Sequence, residues 1–359
     1  MPATALPPIP HTALETAMPA LSLLRRSLLA ALAGGLLATS LPAAAAGEYI
    51  RPGVSFALLG DVPYGVAEEP KFDRVIADIN ASRNVRFVLH TGDVKQGSER
   101  CDDAVFIKRF NQYQKFDDAF IVTPGDNDWT DCHRTNNGSY LPTERLAKFR
   151  EIFYPAIGRS TGKRPMALLS QAATPGQAAH AAYVENTLWQ FAGATMATVH
   201  VVGSANNLAP WNQLAGGDRP AERQAEFDAR LAASLAWIDE IFNRAVAANS
   251  AGVMLAMQAN PGLEYAAGSP QRLGFDEVIA RITARSIAFG KPVLLAHGDS
   301  HYFRVDKPLV NAGVSLENLT RVENFGSPNV HWVEVFVDAR DPNVFSVVPR
   351  IVPGNVVTR

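Results

Sequence analysis

Four short apolar runs in this chain end in the same dipeptide, Gly-Asp. They are SFALLGD at 55–61, FVLHTGD at 87–93, FIVTPGD at 120–126 and VLLAHGD at 293–299. A short apolar run followed by glycine is typical of a buried strand, and in an open α/β sheet ligands bind beyond the carboxyl ends of the strands. We therefore expect the four terminal carboxylates to meet in space.

Carboxylates that are brought together repel one another, and they stay ionised together only when a cation lies between them. The last run continues into His301, so an imidazole joins the oxygens. Asp, Asn and His are ligands of divalent metals that are used in hydrolysis. Each acid alone has a structural alternative, because Asp after a strand is a good N-cap for the next helix. Capping needs neither the repeated dipeptide nor the histidine, and we favour a metal site.

The segments between these runs predict the elements that would position the acids. Phe72, Val75, Ile76 and Ile79 have helical spacing and predict a helix over 70–82. A similar pattern over 102–116 makes two successive strand–helix–strand units, which implies a parallel core. The later segments are predicted to be an antiparallel hairpin at 183–203, a helix at 220–248, a strand at 253–258, a helix at 275–289 and a final all-β stretch. This order predicts an α/β fold with mixed sheets and helices outside.

The first 46 residues are expected to be an upstream extension followed by an export signal. Residues 18–46 combine Arg25 and Arg26 with an apolar stretch and a small-residue end. The apolar part is short for a permanent membrane span. Residues 47–359 would then form one domain of a protein that is periplasmic or secreted.

Charge and cysteine content narrow the class of protein further. The formal net charge of −2 offers no basic surface for nucleic acid. The two cysteines, Cys101 and Cys132, lie in polar segments shortly after two of the Gly-Asp runs. In an exported protein an even pair predicts a disulfide, which would tie two site loops together, and two unpaired thiols are the alternative.

In the order and spacing of these motifs, the chain resembles the calcineurin-like metallophosphoesterases over nearly all of 54–340. Those enzymes carry Asp-x-His, Gly-Asp, Gly-Asn-His-Asp/Glu, a lone His and Gly-His-x-His in that order. The resemblance implies a four-layer α/β/β/α sandwich and a metal-dependent hydrolase of phosphate esters that acts outside the cytoplasm. Several letters differ, so the chain resembles a divergent branch of the family.

The resemblance also implies a set of metal ligands. They are Asp61, Asp93, Asp126, Gln258, Asp299 and His301. Pro63 stands where the family has a further ligand histidine, and Tyr64 is the nearest polar replacement. Because oxygen ligands replace several histidines, one or two ions of Mg²⁺, Mn²⁺ or Ca²⁺ are favoured over Zn²⁺.

The family's proton-donating histidine is replaced by Asn127, and Asp128 occupies the position of its supporting acid. Asn127 can only donate hydrogen bonds, so proton transfer would need another group. The nearby histidines that could supply it, or that could instead serve in packing, are His90, His133 and His297. Arg134 is expected to hold a phosphate together with Asn127 and His133, with a surface ion pair as its alternative role.

Two other classes of protein compete with the enzyme. One is an exported protein that keeps the fold and binds a metal or a phosphate ligand without turnover, and the other is a purely structural domain without metal. The missing histidines favour the first of these, whereas the retained carboxylates favour an enzyme. For the enzyme, the partner would be a phosphorylated small molecule or another phosphate ester.

Overall fold

The first part of the chain folds as two successive strand–helix–strand units. The computed structural model describes residues 53–357. The opening elements are β1 (Val54–Leu59), α1 (Glu69–Ala81), β2 (Val85–His90), α2 (Asp103–Tyr113) and β3 (Ala119–Val122). The three strands pair in parallel, as the two crossovers require. Both predicted helices are confirmed to within a few residues at their ends.

The middle of the chain contains the predicted hairpin and two longer helices. Its elements are α3 (Pro142–Phe153), β4 (Thr161–Gly162), β5 (Leu169–Ser170), β6 (Thr187–Phe191), β7 (Ala194–Thr198), α4 (Pro220–Ala247), β8 (Val253–Ala256), α5 (Asp276–Phe289) and β9 (Val293–His297). Proline begins α3 and α4, where its missing N–H costs no helical hydrogen bond. Gly290, with φ 65°, ends α5. β6 and β7 pair antiparallel, which confirms the hairpin.

The final part is all β. Its strands are β10 (Arg304–Asp306), β11 (Val310–Asn311), β12 (Val314–Ser315), β13 (Leu319–Glu323), β14 (Trp332–Val337) and β15 (Phe345–Arg350). β14 returns to the first sheet and pairs antiparallel with β1, and β15 pairs with β14. β11 and β12 form a separate two-stranded ribbon.

The remaining strands make two mixed sheets. The first has the order β15-β14-β1-β2-β3-β4, and the second has the order β10-β13-β9-β8-β7-β6-β5. The centre of each sheet is parallel, with β1 to β3 in the first and β13, β9, β8 and β7 in the second. Antiparallel strands are added at the edges. The expectation of mixed sheets is confirmed.

The two sheets pack face to face, and helices cover both outer faces. Phe56 and Phe87 of the first sheet stack with ring centroids 4.8 Å apart, in a cluster that also contains Met196 and Leu294 of the second sheet. α1, α2 and α3 bury apolar residues against the first sheet, while α4 and α5 do so against the second. Each large apolar side chain buried in this way contributes about 1.5–3 kcal/mol. The arrangement is the four-layer α/β/β/α sandwich that was expected.

The expected extension and export signal, residues 1–46, lie outside the described residues. Among residues 53–357, no helix is long and apolar enough to cross a membrane.

Candidate active site

The candidate site lies at the carboxyl ends of the parallel strands, where contacts between the two sheets bring the predicted residues together. Asp61, after β1, accepts a hydrogen bond at 3.0 Å from the backbone N–H of Asp299, after β9. Asp126, after β3, accepts one at 3.1 Å from Gln258 Nε2, after β8. The backbone N–H that follows Asp126 donates to Asp93 Oδ1, after β2, at 3.0 Å. All four predicted carboxylates therefore meet at one edge of the sandwich.

We call the loop that directly follows each of these strands, and carries the acid, a corner. The backbone conformation of the corners is unusual. φ is 56° at Asp61, 57° at Asp93, 80° at Asp299 and 60° at His301. Residues other than glycine rarely adopt this left-handed conformation, which costs on the order of 1–3 kcal/mol each and is concentrated at functional sites. Within the described chain, none of the four acids is the N-cap of a numbered helix, so the capping alternative does not explain them.

The glycines that precede the acids mark points where two corners touch. A methyl group added at Gly125 would overlap the backbone N and the carboxylate of Asp93, and one at Gly298 would overlap the carboxylate of Asp61. A methyl group at Gly92 would come within 2.6 Å of the backbone N of Gly125. Only glycine leaves room for these contacts. The repeated dipeptide is therefore required by interlocked corners as well as by turn geometry.

His301 and Tyr64 complete one half of the site. The ring Nδ1 of His301 donates to the Ser327 carbonyl oxygen at 2.8 Å, so the neutral imidazole keeps its lone pair on Nε2. Nε2 lies 3.6 Å from Asp61 Oδ1 and 3.3 Å from the Tyr64 hydroxyl. That hydroxyl lies 3.1 Å from Asp93 Oδ2, to which it donates. Asp61 Oδ1 and His301 Nε2, two acceptors, therefore face each other, whereas the Tyr64 hydroxyl lies between His301 and Asp93.

Asn127 holds two of these groups. Its Nδ2 donates to Asp93 Oδ2 at 2.7 Å and to the Tyr64 hydroxyl at 3.0 Å. Both amide hydrogens are thus engaged. A methyl group at Gly97 would come within 2.7 Å of Asn127 Oδ1 and 3.5 Å of Arg134 Nη1, so the Arg134 guanidinium lies beside Asn127.

Gln258 is completely buried in the other half of the site. Its Nε2 donates to Asp126 Oδ1 at 3.1 Å and to Asp299 Oδ1 at 3.3 Å. Its Oε1 accepts a hydrogen bond from the backbone N–H of Gly203 at 2.6 Å. Asp299 Oδ2 also accepts one from the backbone N–H of Asn260 at 3.0 Å. In this half, N–H donors therefore lie between the carboxylates.

Ser204 and Asp131 are site residues that the sequence reasoning did not identify. Ser204 Oγ lies 2.9 Å from Asp126 Oδ2 and 2.8 Å from Asp131 Oδ1. Asp131 in turn pairs with Arg134 Nη2 at 2.7 Å, and the Arg134 side chain remains 38% exposed. A signal for Ser204 was present, because VVGSANN at 201–207 is another apolar run that ends in glycine and polar residues.

Two buried side chains fix the corner backbones. The donors to the Asp128 carboxylate are the backbone N–H groups of Asp93, Val94 and Gly125, at 3.0, 2.9 and 2.8 Å. Asn324, which follows β13, donates from Nδ2 to Asp61 Oδ2 at 3.0 Å. Asp128 thus joins the loops after β2 and β3, and Asn324 anchors the loop after β1.

Burial makes the ionised form of the carboxyl groups in the site unfavourable. Burial, with neighbouring carboxylates adding to it, raises the pKa of Asp61 and Asp93 well above the usual range of a carboxyl group. The same two causes raise the pKa of Asp299 to about 8 and that of Asp131 to about 7. Burial also raises the pKa of Asp128 to about 7. The cluster therefore needs protons or a cation to offset its charge.

The three candidate histidines do not reach the carboxylates. His90 Nε2 lies 3.0 Å from the Val62 carbonyl oxygen, and burial lowers the pKa of His90 to about 4. His297 Nδ1 lies 2.9 Å from the Gly298 carbonyl oxygen, and burial lowers the pKa of His297 to about 3. His133 is buried, and its Nδ1 has no hydrogen-bond partner within residues 53–357. His90 and His297 therefore contact the backbone of the corner loops.

The predicted disulfide is present. Cys101 and Cys132 are joined with their Cα atoms 5.8 Å apart, and both are completely buried. The bridge connects the loop after β2 to the loop after β3. Each sulfur lies 3.8 Å from the carbonyl oxygen of Asn127. The crosslink thus lies directly behind the site.

Whether the site can bind a metal depends on which atoms, lone-pair ligands or N–H groups, lie around it. In the described part of the chain, no three His, Cys, Asp or Glu side chains are arranged to hold a metal ion as they stand. Beside His301 one contact has chemistry that suits a cation, because Asp61 Oδ1 faces the imidazole lone pair at 3.6 Å. A metal-binding histidine also commonly donates its other N–H to a carbonyl, as His301 does. Both halves also present amide N–H groups, from Gln258 in one and from Asn127 in the other, and N–H groups do not bind cations.

The chain was compared with protein families, curated proteins and solved structures. No protein-family model matches the sequence, and no curated protein matches it. Similar solved structures include PhoD (11% identity, TM-score 0.49, 80% of this chain and 64% of that one) and the purple acid phosphatase from yellow lupin (Lupinus luteus) seeds (9%, 0.44, 82% and 53%). A third is the 5'-nucleotidase from Candida albicans (10%, 0.39, 83% and 51%).

This chain therefore spans between about half and two thirds of the length of those three proteins. Its two mixed sheets, its four layers and its acidic loops at the carboxyl ends of the parallel strands form the α/β/β/α architecture that the resemblance in sequence implied.

Proposed function

We propose that this protein is a metal-dependent hydrolase of phosphate esters that is exported from the cytoplasm. The observation that carries the proposal is the meeting of four buried carboxylates with the Nε2 lone pair of His301 at one edge of the sandwich. Such a group of oxygens and one imidazole is suited to a hard divalent ion, with Mg²⁺, Mn²⁺ or Ca²⁺ favoured. The Cys101–Cys132 disulfide is compatible with an oxidising compartment.

The ion would be held by Asp61, Asp93 and His301. When bound, it would polarise the phosphoryl group and make a water molecule more acidic. The strained corners pre-position these side chains, and the hydrogen bonds from Asn127 keep Asp93 and Tyr64 in place. These side chains are therefore ordered when the protein folds, before a substrate binds.

The substrate phosphate would be oriented by Arg134. Its guanidinium is partly exposed, lies beside Asn127 and offers several N–H donors in a planar fork. The pairing with Asp131 holds the guanidinium toward the site rather than in bulk water. We assign no proton transfer to His90 or His297, because both ring nitrogens of His90 and Nδ1 of His297 contact loop backbone.

The test is turnover of generic phosphate mono- and diesters by the protein loaded with Mg²⁺, Mn²⁺, Ca²⁺ or Zn²⁺. Asp93→Asn is expected to lower kcat/KM by more than about 100-fold, because it removes a charged ligand from the centre of the site. Asp117→Asn is the matched control, since Asp117 is partly exposed and pairs with Lys163 on the surface. Full turnover in the Asp93→Asn variant would contradict the proposal.

The non-catalytic alternative is favoured by one observation. Asn127, at the position of the family's proton donor, has both amide hydrogens committed to Asp93 and Tyr64. A protein of this kind would bind the metal tightly and show no turnover with any ester. Metal binding and turnover, measured on the same preparation, separate the two functions.

A further inference from the structure

Glu68 is a buried carboxylate that the proposed chemistry does not use. It lies in the loop after β1, directly before α1. Its Oε2 accepts a hydrogen bond from the backbone N–H of Tyr64 at 2.8 Å, and its Oε1 accepts one from Ser327 Oγ at 2.7 Å. Ser327 belongs to the loop after β13, 259 residues further along the chain. Glu68 therefore joins two loops that border the candidate site.

Ser327 is the residue through which Glu68 reaches His301. Its N–H donates to the Asp61 carbonyl oxygen at 3.0 Å, its Oγ donates to Glu68, and its own carbonyl oxygen accepts His301 Nδ1 at 2.8 Å. Beside it, a methyl group at Gly326 would come within 2.6 Å of His301 Cγ, so the imidazole packs directly on this backbone. The position of the His301 ring therefore follows the position of Ser327.

The same carboxylate fixes Tyr64. Because the N–H of Tyr64 is bonded to Glu68 Oε2, the chain from residue 64 to residue 68 is closed into a turn. The side chain of Tyr64 extends from this turn into the site, where its hydroxyl lies 3.1 Å from Asp93 Oδ2 and 3.3 Å from His301 Nε2. The Tyr64 and His301 rings meet edge to face, with their centroids 5.3 Å apart. One carboxylate thus holds the loops on both sides of this contact.

We propose that Glu68 is a positioning residue of the active site, which sets the separation between the Tyr64 hydroxyl and His301 Nε2. This inference rests on the proposed function. Glu68 acts through two hydrogen bonds, one to the backbone of Tyr64 and one to the hydroxyl of Ser327. An amide side chain can replace both bonds, because its oxygen accepts an N–H and its NH₂ group donates to a hydroxyl oxygen. The role therefore depends on hydrogen bonding and not on charge.

The kinetic test compares two substitutions at residue 68, with p-nitrophenyl phosphate or bis(p-nitrophenyl) phosphate as substrate. Glu68→Ala removes both hydrogen bonds, and kcat is expected to fall by about 10- to 100-fold, as a displacement of roughly 1 Å at the reacting groups can produce. KM should stay close to the wild-type value, because Arg134, which would orient the phosphate, is held by Asp131. Glu68→Gln should keep most of the wild-type kcat. Glu151→Ala on α3 is the matched control, since the Glu151 side chain is 67% exposed.

A spectroscopic test follows the His301 ring directly. In ¹⁵N-labelled, chelator-treated protein, the neutral His301 ring is expected to carry its proton on Nδ1, and its signals are assigned by their absence in His301→Gln. In Glu68→Ala these signals should shift toward the average of the two tautomers, because the carbonyl oxygen of Ser327 is no longer held in place. Glu68→Gln should keep the wild-type signals. Chemical denaturation checks that each variant is folded.

Ser327→Ala is the second variant, in case Glu68→Ala does not fold. It removes only the hydroxyl that binds Glu68, and we expect a smaller fall in kcat with a His301 shift in the same direction. Unchanged kcat or unshifted His301 signals in folded Glu68→Ala would overturn the inference, as would an equal loss of kcat in Glu68→Gln and Glu68→Ala. These outcomes leave the proposed function intact. Absence of turnover in the wild type would overturn the proposed function, and the His301 signals would still decide whether Glu68 positions the ring.

Discussion

The loss of stability on removing the Cys101–Cys132 disulfide can be estimated directly from the structure. The two cysteines are 31 residues apart, so the loss of loop-closure constraint in the unfolded chain corresponds to about 3.7 kcal/mol at 25 °C. With an unfolding entropy of about 2.1 cal/mol/K per residue and roughly 300 folded residues, this loss lowers the Tm by about 6 °C. We expect this shift for the double variant Cys101→Ala/Cys132→Ala, measured by calorimetry or chemical denaturation.

Two further readouts make this prediction specific. Wild-type protein that is unfolded and refolded under reducing conditions loses the crosslink but no side-chain atoms, so its stability should match that of the double variant to within about 1–2 kcal/mol, the cost of the small cavity. Turnover should also fall at temperatures where the variant is folded, because both sulfurs touch the Asn127 carbonyl oxygen. A loss of stability below about 1 kcal/mol would refute the reasoning.

Three other predictions concern buried groups. Asp128→Asn turns one acceptor into a donor that faces a backbone N–H, so we expect a loss of about 2–4 kcal/mol in chemical denaturation together with lower turnover; unchanged stability would contradict the role of Asp128 in joining two loops. Gly125→Ala should disrupt the site because its methyl group overlaps Asp93, whereas Gly53→Ala, whose methyl group meets nothing closer than 3.8 Å, should have little effect on turnover. Burial acts to raise the pKa of Glu185, but the Arg150 guanidinium and the hydrogen bond with His200 outweigh it and lower this pKa from 4.5 to about 2. The ionised form therefore contributes on the order of 3 kcal/mol above about pH 5, and this contribution is lost as the pH falls to 2. Denaturation curves of wild type and Glu185→Gln between pH 5 and 2 should show a smaller pH slope in the variant, and equal slopes would contradict the ion pair.

The fold could be predicted largely from the sequence because its signals are local. Apolar runs and helical spacing gave the strand–helix–strand units, and the shared Gly-Asp ending placed the acids at one edge. The pairing of Cys101 with Cys132 followed from their even number and the expected export. The helix ends differed by a few residues, since the last turn depends on capping and packing rather than on periodicity.

The details of the site depended on contacts between residues that are distant in sequence. Ser204 touches Asp126, 78 residues away, and Asn324 reaches Asp61, 263 residues away. No local pattern encodes such contacts. His90 and His297 stand close to the acids along the chain, but the direction of each ring is set by the surrounding backbone. For these two histidines, adjacency in sequence identified the loops of the site but not side chains that face the carboxylates.

The interlocked glycines have a consequence for how this dipeptide should be interpreted in other chains. Because Gly125 and Gly298 are where a neighbouring acid passes, their small size is demanded by assembly of the sandwich and would persist in a chain that had lost its ion. The repeated Gly-Asp dipeptide therefore reflects a requirement of the fold. The chemistry of the site depends instead on the groups that lie among the acids. These are the imidazole of His301, whose Nε2 carries a lone pair, and the amide of Gln258, whose Nε2 faces the carboxylates.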